Sequence, residues 1–104
     1  MDYKVVVSID AEQDFENYLQ YLLYEKKSEQ AARNFIADFN ATKSILANIA
    51  ASLKYCDNPK LKELGYKRIN FLKHKYFMLF RIEDDIVIID NIFHALQDYE
   101  NYLV

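Results

Sequence analysis

Residues 66–94 gather the side chains best suited to chemistry. His94 ends the apolar run IVIIDNIF, and an imidazole with an ordinary pKa of about 6.5 can give or take a proton at neutral pH. Upstream lie Lys67, Arg68, Lys73, His74, Lys75 and Arg81, interleaved with Tyr66, Tyr76 and Phe77. Guanidinium forks stay charged and match phosphate geometry, and rings set among cations can stack on unpaired bases. One reading is therefore a phosphate- and base-binding patch, with His94 as general acid or base. The other is a set of solvated charges on a hairpin, with Arg81 paired to Glu83, Asp85 or Asp90. On that reading the aromatics form a core or a groove for a partner helix or strand, and His94 caps a strand end and hydrogen-bonds the terminal segment.

The charge supports either reading. The chain has 13 basic and 16 acidic residues, a net charge of −3, but residues 54–81 alone carry eight basic and two acidic groups. Residues 1–53 carry five and eight, and residues 82–104 carry six acids and no Lys or Arg. Salt confines a surface field to about 10 Å, so the basic middle band can attract a polyanion that the whole molecule would repel. The alternative is a solvated, Lys-rich hairpin that pairs with the acidic tail, and charge alone slightly favours it.

With 104 residues, 52% apolar and 28% charged, one Gly and one Pro, the chain reads as one soluble domain spanning 1–104 with few loops. Its apolar runs fall well short of the roughly 20 residues of a membrane helix. No leader-like segment opens it, so a cytoplasmic address is expected. Cys56, the lone cysteine, lies in a polar loop with no Cys or Cys/His pair nearby. It reads as an incidental thiol, with no metal site and no internal disulfide.

The elements that must position these residues follow from periodicity. Alternation over 3–9 predicts a strand, and Phe15, Tyr18, Leu19 and Leu22 predict a helix over 11–25, opened by an Asp10/Gln13 capping box. Ser28 caps a second helix whose stripe is Ala31, Ala32, Phe35, Ile36, Phe39, Leu46, Ile49, Ala50 and Leu53, close to about 40 Å long. A connection over 54–65 holds the only Pro and Gly. Strands over 66–72, 76–82 and 86–93 follow, linked by Lys73-His74-Lys75 and by Glu83-Asp84-Asp85, where Asp tolerates a left-handed turn. Leu96, Tyr99 and Leu103 predict a short terminal helix or packed tail over 95–103. Strand parity sets Lys75, Phe77, Leu79 and Arg81 on one face, and groups His94 with Ile88, Asp90 and Ile92. The fold class is α+β: a helical hairpin on one face of a four-stranded, mainly antiparallel sheet, in the order β-α-α-β-β-β.

Read together, several of these segments resemble the RelE/ParE superfamily of bacterial type II toxins. They are Tyr3-Lys4-Val5-Val6-Val7-Ser8 with Ala11-Glu12-Gln13-Asp14-Phe15, Ala31-Ala32 opening a long helix, Asn58-Pro59, and Gly65-Tyr66-Lys67-Arg68-Ile69. Tyr76-Phe77-Met78-Leu79-Phe80-Arg81-Ile82, Ile92-Phe93-His94 and Gln97-Asp98-Tyr99 complete the set, which spans nearly the whole chain. The resemblance implies a cytoplasmic toxin without a cofactor, neutralised by a cognate antitoxin that wraps around it in a hetero-oligomer. It leaves two targets open. ParE-like members poison DNA gyrase; RelE-like members cleave mRNA on the ribosome without a metal, using the 2′-hydroxyl as nucleophile. A third alternative is a module that keeps antitoxin binding without toxicity.

RNA cleavage needs the 2′-hydroxyl deprotonated, the leaving oxygen stabilised and the phosphorus charge met by fixed cations. By resemblance, ribonuclease members carry an Arg where this chain has Phe77, and an aromatic or basic residue where Ala95 follows His94. Under that alternative Arg68, Lys75, Arg81 and His94 would be catalytic, and Lys67, Lys73, His74, Tyr76 and Phe77 would bind the target or nucleic acid. The Phe77 departure favours the ParE-like branch.

Overall fold

The computed structural model describes residues 2–95. Its elements are β1 (Lys4–Val7), α1 (Ile9–Gln20), a π-turn (Tyr21–Glu25), α2 (Glu29–Ile49), a 3-10 turn (Ala50–Ser52), α3 (Pro59–Glu63), β2 (Lys67–Asn70), β3 (Tyr76–Glu83) and β4 (Ile86–His94). The sheet order is β1-β4-β3-β2. β1 runs parallel to β4, whereas β2–β3 and β3–β4 are antiparallel hairpins. The expected α+β architecture therefore holds, with one short helix added between α2 and β2.

Local chemistry fixes the ends of the elements. Ser8, not Asp10, caps α1: its hydroxyl oxygen accepts the Ala11 N–H at 3.0 Å and the hydroxyl donates to the Asp90 carbonyl at 3.0 Å, so the helix begins at Ile9. Ser28 caps α2 as expected, accepting from Ala31 N–H at 3.1 Å. α2 has 21 residues and is about 32 Å long, shorter than expected because its last turn tightens into the 3-10 segment at Ala50. Within the anticipated connection, Asn58 accepts from Lys60 and Leu61 N–H, and Pro59 takes the first helical position of α3. Gly65, at φ 85°, then turns the chain into β2. Asp84 takes the left-handed conformation in the β3–β4 turn, at φ 55°. The predicted terminal helix lies outside the described residues beyond Ala95.

Each face of the sheet covers its own apolar cluster. On one face Met78, Phe80, Val87, Ile89 and Ile92 pack under α1 and α2 against Phe35, Phe39 and Leu46. On the other Phe77, Leu79 and Phe93 meet Leu61, Cys56 and Tyr66 from the α2–β2 connection. Cys56 is thus a buried thiol, not one in a solvated loop. Full burial of each such large side chain stabilises the fold by roughly 1.5–3 kcal/mol.

A bulge in β4 changes the expected parity. Leu79 pairs with Asn91 and Phe80 with Ile89, leaving Asp90 as an extra residue. Ile92 consequently enters the helix-side cluster, while Asp90 reaches Arg81. The grouping of His94 with both Ile92 and Asp90 is corrected accordingly, because one inserted residue flips everything beyond it to the opposite face.

Candidate functional site

The β2–β3 hairpin ends in a basic tip, Lys73-His74-Lys75, and a carboxylate from α2 holds this tip in place. Phe35, Asp38, Phe39, Thr42 and Leu46 share the inward stripe of α2, so Asp38 is only 4% exposed. Its carboxylate accepts the N–H groups of Leu72 at 3.1 Å, Lys73 at 3.2 Å and His74 at 2.8 Å, and lies 2.7 Å from His74 Nδ1. The Thr42 hydroxyl donates to the Asp38 carbonyl at 2.7 Å and accepts a second contact from Leu72 N–H at 3.3 Å. Hydrogen bonds to an ionised acceptor are about twice as strong as neutral ones, so this short connection is fixed like an element rather than left loose. Asp38 was missed in the sequence. The available signal was an acid, followed four positions later by a threonine, inside an otherwise apolar helical stripe.

Two open clefts flank the tip. One, of about 450 Å³, lies between it and α2 and is lined by Asn34, Ala37, Asp38, Ala41, Leu72, Lys73 and His74. The other, of about 310 Å³, is lined by Arg68, Asn70, Phe71, Leu72, Lys73, His74, Lys75, Tyr76 and Ala95. The second cleft thus brings together five of the nine residues singled out from the sequence: Arg68, Lys73, His74, Lys75 and Tyr76. His94 adjoins it, its ring edge-on to Tyr76 with centroids 5.2 Å apart. The Ala95 N–H donates to the Lys75 carbonyl at 2.8 Å. Among the described residues, neither lysine of the tip forms an ion pair.

The other candidates lie elsewhere. Lys67 is buried, its Nζ donating to the Ala50 and Ala51 carbonyls at 3.4 and 3.2 Å and sitting 4.8 Å from the Tyr55 ring centre. It satisfies carbonyls left open at the end of the helix rather than facing a target. Phe77 is 1% exposed and packs on Phe93, with the Arg68 guanidinium 3.7 Å from its ring centre. No base can stack there. Arg81 donates from Nε to Asp90 at 2.8 Å and also pairs with Glu83. The Asp90 hydrogen bond raises its pKa above the usual arginine value; burial opposes this, and the charge of Asp90 and the hydrogen bond and charge of Glu83 add to the rise.

Nor do Arg81 and His94 meet. Arg81 pairs across the sheet with Ile88 and His94 with Tyr76, so they stand five positions apart along β3. At about 3.4 Å per residue that is roughly 17 Å. They also use opposite faces: Arg81 neighbours Tyr66, whereas Tyr76 packs among Tyr18, Phe35 and Phe71 on the helix side. Burial raises the Tyr76 phenol pKa, and Tyr21 adds to it. Among the described residues no group of three or more His, Cys, Asp or Glu could hold a metal, and no helix is long and apolar enough to cross a membrane.

The described residues thus form a helical hairpin on a mixed four-stranded sheet, with a charged hairpin tip flanked by open clefts. Residues 5–99 match the profile of the ParE toxin of type II toxin-antitoxin systems, parDE, and the chain belongs to that family. Its fold is similar to a chain of the chromosomal ParDE TA system from P. aeruginosa, with a TM-score of 0.70 at 14% identity over 89% of this chain and 96% of that one. It is also similar to a chain of the toxin-antitoxin complex RelBE2 from Mycobacterium tuberculosis, with a TM-score of 0.60 at 18% identity over 90% and 99% of the two chains. No curated protein matches the sequence significantly.

Proposed function

We propose that this chain is the toxin half of a cytoplasmic type II pair, held inactive by a cognate antitoxin, and that it acts by poisoning DNA gyrase. The observation that carries the choice of target is Phe77. Where ribonuclease relatives place a cation, this chain has a fully buried ring packed on Phe93. Of the cations on that face, Arg68 lies over the ring and Arg81 is engaged by Asp90 and Glu83, which leaves Lys75, on the exposed hairpin tip, as the one flanking cation without an ion pair among the described residues. A proton-transfer group roughly 17 Å from Arg81 cannot share one phosphodiester with it. The antitoxin is proposed from family membership and from the complexes formed by the similar structures.

The test is purified protein added to gyrase, ATP and plasmid. Cleaved DNA is expected to accumulate, and to stop accumulating when antitoxin is added. Normal supercoiling at high protein excess would overturn the proposal, and A-site cuts in translated message by primer extension would replace it with ribosome-dependent cleavage.

A further inference from the structure

We infer that the basic hairpin tip is a preformed docking site for the sugar-phosphate backbone of DNA, with Asp38 as its positioning residue. The inference rests on the gyrase reading, in which the target presents DNA. It starts from a conflict of charge: an anionic protein places a buried carboxylate directly beneath its most basic exposed turn. That carboxylate does not pair with the lysines. It is occupied by the backbone N–H groups of Leu72, Lys73 and His74 and by His74 Nδ1, so it fixes the turn while leaving the Lys73 and Lys75 ammonium groups unpaired among the described residues. Cations held on a rigid turn lose less conformational entropy on meeting a phosphate than cations on a loose loop.

An acidic peptide would be the other anionic occupant, and the cleft suits it less well. Protein-docking surfaces are anchored by aromatic or apolar side chains that become buried. The aromatic side chains at this cleft are already committed, Phe71 being 5% exposed and Tyr76 packed against Tyr18, Phe35, Phe71 and His94. What remains accessible is mainly charge: of the large apolar side chains lining the cleft only Leu72 is exposed, at 51%, and a charged surface is how a protein holds a nucleic-acid backbone without reading its sequence.

The experiment is fluorescence anisotropy of a labelled 20-base-pair duplex with the full-length chain across a salt series. Two lysine-phosphate contacts give a log-log salt slope of about −1.8, an affinity loss of roughly twelvefold between 50 and 200 mM salt. Lys73→Ala/Lys75→Ala is expected to remove that slope, while Lys4→Ala, on the strand at the far edge of the sheet, leaves it intact. Asp38→Asn raises the net charge by one unit and is nevertheless expected to weaken binding severalfold; stronger binding would reduce the site to general attraction and overturn the inference. If Asp38→Asn does not fold, the contrast between Lys4 and the lysine pair decides. Equal losses at both places, or tight binding of polyglutamate with none of DNA, also overturn it. Gyrase poisoning that persists without duplex binding defeats this inference alone. Duplex binding without poisoning defeats the functional reading alone.

Discussion

His74 Nδ1 lies 2.7 Å from the carboxylate of Asp38, a residue 36 positions earlier on another element. This contact joins the helical layer to the sheet at the base of the candidate site. Asp38→Ala would leave the Lys73 and His74 N–H groups without their acceptor and Leu72 N–H with only its 3.3 Å contact to Thr42, and an unsatisfied polar group at a partly buried site costs about 1–3 kcal/mol. Urea denaturation should show a total loss of roughly 2–4 kcal/mol. His74→Ala removes only the ring contact and should cost about 1 kcal/mol, since the backbone bonds remain. Equal losses for the two variants would mean that the ring, not the turn, is what Asp38 holds.

Arg81 is a candidate catalyst by sequence and a strut by geometry. Its bond to Asp90 fastens the residue that the β4 bulge leaves over. Arg81→Ala should therefore lower stability by about 1–2 kcal/mol, as for a charge-assisted bond at a half-exposed site, and leave gyrase poisoning per folded molecule unchanged. Abolished poisoning with an unaltered denaturation midpoint would return Arg81 to the active surface.

Most of the architecture was legible because burial imposes a period. Met78 and Phe80 on one face and Phe77 and Leu79 on the other give β3 its continuous apolar run, and Phe35 and Phe39 mark the inner face of α2. The bulge at Asp90 was not legible, since an inserted residue has no periodic signature and its partners come from distant segments: Ser8 binds the Asp90 carbonyl and Arg81 its carboxylate. The site was half legible. Composition located the Lys73-His74-Lys75 tip, but side-chain composition cannot reveal that its backbone N–H groups converge on Asp38.

Asp14 should give the protein a measurable pH dependence. Burial, reinforced by Asp10, raises its carboxyl pKa above the ordinary 3.8, although Ile92 N–H and the Asn91 amide partly offset this. A raised folded-state pKa means that the folded chain binds more protons than the unfolded one, from about pH 3.8 up to the folded value. Asp14's contribution to stability therefore falls as pH rises through that window and stays lower above it. Asp14→Asn keeps an oxygen for Ile92 N–H, now 2.9 Å away, and cannot ionise. Its stability relative to the parent should increase between pH 3.5 and neutrality, measured by denaturation at each pH. A relative stability that is flat or declines across that range would show that the two hydrogen bonds outweigh desolvation.

Phe77 offers the sharpest contrast between a missing catalytic group and a structural one. Phe77→Arg would restore the cation typical of ribonuclease relatives, but the ring is 1% exposed and is held between the Arg68 guanidinium, 3.7 Å from its centre, and Phe93, with centroids 5.6 Å apart. A second guanidinium there would be buried beside a like charge, at a cost of several kcal/mol. Phe77→Ala should itself cost about 3–5 kcal/mol through cavity formation. Phe77→Leu, which keeps most of the apolar volume, should fold and leave poisoning intact. The expected order of stability is parent, Leu, Ala, Arg. A well-folded Phe77→Arg variant that cuts message on the ribosome would show that the sheet can open to admit the cation and that the ParE-like assignment rests on one substitution.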